Sequence, residues 1–246
     1  MERKSCTLIV ILILVPMLLT ASSKIRIYRA YIGNDMPEWK ATMDEMETQK
    51  NNDPAYLAEL VNYQYGYIGY CLGVDDDDAA KTYLYRAEKN LEQLEQLGFS
   101  SATINAYRSA FFGYKIGLSP IKAPFLGPKS IKAAEQSIQA DPENPLGYVQ
   151  LGHAEFHMPA LFGGSKTKAI EYFQKAEKLM EQNPETWITQ NWNYLNLMAL
   201  IGQSFEALNK YEEAKSYYSK ALKAEPGFKW VKDKLLPNLD KNLKNE

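Results

Sequence analysis

Residues 198–226 read MALIGQSFEALNKYEEAKSYYSKALKAEP, and this stretch decides the fold. Its first half carries apolar residues at helical spacing around Gly202. Its second half carries a small, a large and a small residue at positions i, i+4 and i+7, namely Ala214, Tyr218 and Ala221. That spacing places the three side chains on one stripe of a helix. The stretch therefore predicts two amphipathic helices that pack against each other and end at Pro226.

The same pattern recurs along the chain, with a glycine in the first helix and a small–large–small stripe in the second helix of each pair. The stripes are Ala80/Leu84/Ala87, Ser130/Ala134/Ser137, Ala169/Phe173/Ala176 and Ala214/Tyr218/Ala221. The glycines, each preceded by an apolar residue, are Gly69, Gly113, Gly152 and Gly202. Glycine inside a helix costs about 1 kcal/mol relative to alanine. Four glycines in register therefore predict a close helix crossing that compensates for this cost.

The block that ends at Pro226 resembles a complete tetratricopeptide repeat, a unit of two antiparallel helices. The segments 137–142 and 221–226 resemble the usual ending of that repeat. The resemblance covers residues 55–226, and it implies an all-α fold, a right-handed α-solenoid of about four helical hairpins with flanking capping helices. Around this repeat domain we expect a signal peptide (1–23), an N-terminal segment with a capping helix (24–54) and a C-terminal capping helix (227–246).

Two of the hairpins depart from the spacing of the family. The small residue that opens the stripe lies 12 residues after Gly202 but 17 residues after Gly113 and Gly152. We assign the extra residues to apolar loops over 119–128 and 158–164, so that the helices after them begin at Lys129 and Lys166. Loops on adjacent repeats should lie on the same edge of the solenoid, which makes Phe125 and Phe162 candidate binding residues. Further along, periodicity predicts one unbroken helix over 186–209.

The N-terminal residues have the three parts of a secretory signal peptide. Two basic residues precede an apolar run over 8–19, and small residues follow up to Ser23. The run is short for a transmembrane span, and an uncleaved membrane anchor is the alternative. We therefore expect an exported protein, periplasmic or extracellular. Cleavage would remove Cys6 and leave Cys71 without a partner, as a buried small apolar residue.

Composition and motifs argue against several functional classes. The net charge of −2 lacks the positive surplus that nucleic-acid binding requires. His153 and His157 are the only histidines and lie one turn apart without a third ligand, so we expect no metal site and no cofactor. The acidic run 75–78 is interpreted as a helix cap, as is Ser165 after two glycines. No nucleophile and base can be paired, which predicts a protein that is not an enzyme.

The resemblance also implies which first-helix residues face the concave groove. These candidate ligand-binding positions are Tyr63, Tyr70, Tyr107, Tyr114, His153, Asn196 and Gln203. A groove with aromatic rings at one end and amides at the other suits an extended peptide or a flat organic ligand. The alternative is that the tyrosines pack between neighbouring repeats, since Tyr63, Tyr67 and Tyr70 also form a stripe on their helix.

These features together predict a binding scaffold that holds a protein or peptide in its groove. A transporter or an envelope complex is one candidate partner, and membrane contact is expected only through an uncleaved signal segment. The alternative function is a small-molecule-binding accessory of an envelope transport system, with the two loops as walls of a pocket. Phe125 and Phe162 distinguish the two functions. They should fold over the tyrosines if a pocket exists and point away if it does not.

Overall fold

The computed structural model describes residues 23–49 and 51–243, so the predicted signal peptide lies outside the described residues except for Ser23. All regular structure in these ranges is helical. None of the described helices is both long and apolar enough to cross a membrane. The α-helices are α1 (23–33), α2 (Met36–Thr48), α3 (Pro54–Gly73), α4 (Asp77–Gln96), α5 (Ser101–Leu118), α6 (Ala123–Ala140), α7 (Pro145–His157), α8 (Lys166–Gln182), α9 (Pro184–Trp187), α10 (Trp192–Glu206), α11 (Tyr211–Ala224) and α12 (Leu236–Leu243).

Four helical hairpins form the body of the molecule. They are α3–α4, α5–α6, α7–α8 and α10–α11, and each stacks on the next through its neighbouring helices. At one end α2 packs against α3, and at the other a π-helical turn, Val231–Leu235, continues into α12 against α11. This arrangement confirms the prediction of an all-α solenoid of about four hairpins with flanking helices.

The repeat stripes and the glycines explain how the two helices of a hairpin meet. All twelve stripe residues are buried. A Cβ on Gly152 would lie 2.5 Å from Cδ1 of Phe173, and one on Gly202 would lie 2.7 Å from Cδ1 of Tyr218. The predicted close crossing is therefore confirmed in these two hairpins. Nothing lies within 4 Å of the Cβ position of Gly113, so the crossing of α5 and α6 does not need that glycine. The atom nearest to a Cβ on Gly69 is the hydroxyl of Tyr114 on α5, at 3.1 Å, and not the stripe of its own hairpin.

The capping and burial predictions agree with the structure. Asp76 caps α4 by accepting a hydrogen bond from the backbone amide of Ala79 at 3.1 Å. Ser165 caps α8 in the same way through the amide of Lys168 at 3.3 Å. Cys71 is 1% exposed and forms no disulfide within the described ranges, and burial raises the pKa of its thiol to about 11. It is a buried small apolar residue, as expected.

Two helix boundaries differ from the sequence prediction. Helix α6 begins at Ala123 and not at Lys129, because a 3-10 turn, Pro120–Lys122, leads directly into it. Pro124 lies in the first turn of α6, where a missing N–H leaves no hydrogen bond unmade. The predicted loop over 119–128 is therefore largely helical, and Pro128 lies inside the helix.

The predicted continuous helix over 186–209 is also wrong. Helix α9 ends at Trp187, and α10 begins at Trp192. Between them Gln190 has a φ of 50°, which lies in the left-handed region and cannot continue a helix. Asn191 then caps α10 by accepting a hydrogen bond from the amide of Asn193 at 2.9 Å. Apolar residues lie on both sides of the break at helical spacing, so periodicity alone does not show that the helix is interrupted before Asn191.

Candidate functional site

Helix α1 packs against residues of α2, of α10 and of the segment after α11, and we refer to the surface that these residues form as the groove. The Tyr31 ring of α1 packs against Trp39, Trp192 and Phe228, with centroid distances of 5.7, 5.6 and 5.1 Å. Its hydroxyl donates a hydrogen bond to Oδ1 of Asn196 at 3.0 Å, and Asn196 is one of the predicted groove residues. Since Trp39 belongs to α2 and both Trp192 and Asn196 belong to α10, α1 joins the two ends of the solenoid.

A second tyrosine of α1 reaches the C-terminal end of the repeat domain. The Tyr28 hydroxyl donates a hydrogen bond to Oε2 of Glu225 at 2.8 Å. Burial raises the pKa of Tyr28, and Glu225 adds to this, so the phenol keeps the proton that it donates. Ile27 and Ala30 of the same helix are fully buried. Helix α1 is therefore bound by an apolar face and by two phenol hydrogen bonds.

Trp192 is the side chain at which the first and fourth hairpins meet. Its ring lies 5.2 Å from that of Trp39 and 6.0 Å from that of Tyr65. Gly66 of α3 makes room for it, since a Cβ there would lie 2.7 Å from Cη2 of Trp192. The sequence does not predict this contact. A tryptophan and a glycine in different repeats, both outside the repeat stripes, carry no signal that pairs them.

The predicted groove tyrosines lie mostly inside the packing. Tyr63 and Tyr107 are each 3% exposed. Tyr114 stacks on Tyr65 with a centroid distance of 5.7 Å and donates a hydrogen bond to the Tyr65 backbone carbonyl at 3.0 Å. Burial raises the pKa of Tyr114 well above its ordinary value. Tyr70 is exposed, at 38%, and Tyr114 is half-buried. Packing between repeats, the stated alternative, describes the positions of Tyr63, Tyr107 and Tyr114.

Three buried polar atoms along the groove have no hydrogen-bond partner among the described residues: Glu59 Oε2, Asn62 Oδ1 and Trp192 Nε1. The charge of Lys24 on α1 lowers the pKa of Glu59 in part. About two turns further along α3, Gly66 contacts Trp192. The helical spacing of 59, 62 and 66 places Asn62 on the same face between them. This face of α3 therefore buries two acceptor oxygens, although the Glu59 carboxylate also has a hydrogen bond with Tyr63, and burial raises the pKa of Glu59.

The two histidines lie beside each other on α7. Their rings stack with a centroid distance of 5.9 Å, and His153 meets the edge of Phe173 at 5.5 Å. Burial lowers the pKa of His153 to about 3, and His157 adds to this shift. The surrounding protein and Lys166 also lower the pKa of His157, so both rings are neutral at pH 7. No cluster of three or more metal-ligating side chains occurs in the described part of the chain.

The other predicted residues lie apart from α1. Gln203 is half-buried on α10. Phe125 and Phe162 are 74% and 73% exposed, and neither forms a ring contact with a tyrosine within the described ranges. Two clefts formed by described residues lie elsewhere. One, of about 360 Å³, lies between α2, α3 and α4, and the other, of about 130 Å³, lies between α4 and α5. None of the predicted site residues lines either cleft.

Comparison with known proteins agrees with this architecture. Residues 195–228 match the family model of the tetratricopeptide repeat. The chain carries a tetratricopeptide repeat and has the helical-repeat fold of that family. Among curated proteins, none has a sequence that matches the chain.

Two solved structures show the same fold as this repeat protein. The HusA haemophore from Porphyromonas gingivalis is 19% identical, with a TM-score of 0.59, over 75% of this chain and 92% of its own. A thermophilic TPR protein from Thermus thermophilus is 16% identical, with a TM-score of 0.54, over 83% of this chain and 92% of its own. At these identities the similarity concerns the fold.

Proposed function

We propose that this protein is an exported, non-enzymatic scaffold that binds a helical segment of a protein partner in its concave groove. The position of α1 carries this proposal. A helix with two tyrosines three residues apart already lies in the groove, with Tyr31 bonded to Asn196 and Tyr28 bonded to Glu225. A groove that holds an amphipathic helix through apolar anchors is an established mode of peptide recognition.

The groove also indicates the chemistry of the partner. Asn62 Oδ1, a buried acceptor without a partner among the described residues, favours a segment that brings its own donors, such as hydroxyl, amide or basic groups. Tyr70 at the rim adds an amphipathic ring. The partner segment is therefore an amphipathic helix with aromatic residues at i and i+3 and donor groups beside them. An envelope protein, such as a transporter subunit, is the class of partner that an exported scaffold meets.

Export is part of the proposal and rests on the N-terminal sequence. The basic residues Arg3 and Lys4, the apolar run and the small residues up to Ser23 are those of a signal peptide. We propose a periplasmic or extracellular location, and N-terminal sequencing of the secreted chain tests it. A mature chain that begins near Lys24 is expected, whereas an intact Met1 in a membrane fraction would favour the anchor.

The groove is tested with a fluorescent peptide of residues 24–33 added to the full chain. In the parent protein the tethered α1 competes at high effective concentration, so weak peptide binding is expected. Tyr31→Ala loosens α1, and at least tenfold tighter, saturable binding is expected in fluorescence anisotropy. Adding Asn196→Ala should weaken that binding again, because it removes the acceptor for the peptide's tyrosine hydroxyl.

The controls separate groove binding from unfolding. Far-UV circular dichroism must be unchanged in each variant, and Tyr31→Phe is the milder substitution if Tyr31→Ala reduces helicity. Tyr85, which is 65% exposed on α4, provides a matched substitution away from the groove. Equal peptide binding by parent, Tyr31→Ala and Tyr85→Ala, or no binding by any of them, contradicts the proposal.

A small-molecule function is the second candidate, favoured by the similarity to a haemophore. The exposed positions of Phe125 and Phe162 argue against a pocket closed by the two loop segments. A haem titration followed by absorbance distinguishes the candidates. The peptide proposal predicts no stoichiometric, saturable complex. A saturable complex that is lost in His157→Ala would favour the small-molecule function.

A further inference from the structure

Four large apolar side chains project from the two middle hairpins. Ile121, Phe125, Leu161 and Phe162 are 84%, 74%, 89% and 73% exposed, and we refer to them as the loop edge. Large apolar residues are normally at least half-covered, and contiguous exposed ones mark an interaction surface. We therefore expect the loop edge to be a binding surface.

The topology brings the four residues to one edge of the molecule. Ile121 and Phe125 follow the end of α5, and Leu161 and Phe162 follow the end of α7. Helices α5 and α7 contact each other and are the first helices of successive hairpins, so their C-terminal ends lie side by side. The two pairs therefore form one surface, and not two separate ones.

Backbone hydrogen bonds hold these side chains outward. The amide of Phe162 donates to the carbonyl of Pro159 at 2.9 Å, and that of Gly163 donates to Ala160 at 3.0 Å. The amide of Ser165 donates a hydrogen bond to the carbonyl of Glu155 in α7 at 3.1 Å, which closes the turn. On the other hairpin the 3-10 turn and the first turn of α6 fix Ile121 and Phe125. The exposure is thus built into ordered turns.

The segment that carries Ile121 and Phe125 contains positive charges and no acidic residue. No Asp or Glu occurs between Glu95 and Glu135 in the sequence. Lys122, Lys129 and Lys168 are exposed next to the apolar residues, and none of them forms a salt bridge with a described carboxylate. Exposed lysines beside apolar tips are the combination that attracts and holds a protein at an anionic lipid surface.

We propose that the loop edge inserts into the surface of a membrane that contains anionic lipids. The four side chains are convex tips with a basic surround, and neither described cleft lies among them. A protein partner would instead favour pockets for its anchoring residues. The turn of the first hairpin, Asp75–Asp78, lies on the same edge and is acidic, so the membrane contacts the two middle hairpins and the first hairpin tilts away.

The test uses the chain from Ser23 to Glu246, which holds the whole described fold and lacks the apolar N-terminal run. Sedimentation with vesicles of phosphatidylcholine, with or without about 30% phosphatidylglycerol, measures binding. The parent is expected to bind the anionic vesicles and to be released by salt. Phe125→Ser/Phe162→Ser is expected to lower the vesicle affinity at least tenfold. Lys122→Gln/Lys168→Gln should lower it about threefold and only on anionic vesicles.

A matched control replaces exposed apolar residues elsewhere. Tyr85 and Leu97 are 65% and 42% exposed and lie away from the loop edge, so Tyr85→Ser/Leu97→Ser should leave vesicle binding within twofold of the parent. Absence of vesicle binding by the parent, or equal losses in the two double variants, overturns the proposal. Light scattering without lipid measures the oligomeric state of the parent and of the double variant. A parent dimer that becomes a monomer in Phe125→Ser/Phe162→Ser would make the loop edge a protein interface.

Discussion

Gly152 and Gly202 lie where a ring from the second helix of the hairpin presses on the backbone of the first. Phe173 covers Gly152 and Tyr218 covers Gly202, and in both places a methyl group would overlap the ring. Gly113 has the same place in its own hairpin but faces open space. The repeat pattern therefore marks one sequence position that has different physical roles in different repeats.

This difference gives a prediction at the level of single residues. Gly152→Ala should lower the free energy of unfolding by about 2 kcal/mol, because overpacking against Phe173 exceeds the gain in helix propensity. Gly113→Ala should raise it by roughly 0.5 to 1 kcal/mol, because only the propensity changes. Urea unfolding followed by circular dichroism measures both. A loss of stability in Gly113→Ala, or none in Gly152→Ala, would contradict the assigned contacts.

His153 predicts a dependence of stability on pH. The folded protein keeps its pKa near 3, whereas the unfolded chain takes up a proton near the ordinary value of 6.5. The unfolded state then binds more protons between these values, so stability is lost as pH falls below 6.5. From pH 7 to 5.5 the loss from this group is about 1 kcal/mol. In urea titrations at several pH values, His153→Phe should remove this part of the dependence of unfolding free energy on pH. An unchanged pH dependence in this variant would show that His153 is not its source.

Among the helices, α1 differs most from the sequence prediction, because it packs across α2 and α10. It contributes the Tyr31 ring to three aromatic contacts and one hydrogen bond across the groove. Tyr31→Ala should cost about 3 kcal/mol of stability, and Tyr31→Phe about 1 kcal/mol, since only the hydroxyl is removed. Arg29→Ala on the exposed side of α1 should change stability by less than about 0.5 kcal/mol. Thermal and urea unfolding measure the series, and equal effects of Tyr31→Ala and Arg29→Ala would place α1 elsewhere.

The hairpins could be predicted from sequence because their signals are local. The stripe around Tyr218 and the glycine before it lie within one repeat, and helix period alone places them on facing surfaces. The caps at Asp76 and Ser165 are equally local. The start of α6 was missed because a proline is tolerated in the first turn of a helix and so does not mark a loop there. The break before α10 was missed because one left-handed residue, Gln190, leaves the spacing of the apolar residues unchanged.

The occupied groove could not be predicted in the same way. The contact of Tyr31 with Asn196 joins residues 165 positions apart, and the fit of Trp192 on Gly66 depends on the curvature of the whole solenoid. Neither contact leaves a periodic mark in the sequence. The pattern assigned Tyr63 and Tyr107 to the groove, but it could not tell that Tyr63 would pack against Trp39 and Tyr107 against Tyr65.

In the whole molecule, the first and last hairpins are connected twice, by α1 and by the direct contact of Trp192 with Gly66 and Tyr65. Repeat arrays are stabilised by neighbour contacts and can unfold in parts. With the ends joined, we expect one cooperative transition, in which the fluorescence of the four tryptophans, Trp39 and Trp192 among them, changes together with helix loss. In Tyr31→Ala the fluorescence transition should come at lower urea than helix loss. Two separated transitions in the parent would contradict the coupling.

In this structure α1 occupies the groove. Hydrogen–deuterium exchange of the chain from Ser23 onward tests it most directly, by following peptides that cover residues 23–33 and 192–206. We predict that the amides of 23–33 are protected to the same degree as those of α10, and that Tyr31→Ala raises exchange in both segments while Arg29→Ala raises it in neither. Exchange of 23–33 at the rate of an unstructured chain, with α10 still protected, would contradict the account.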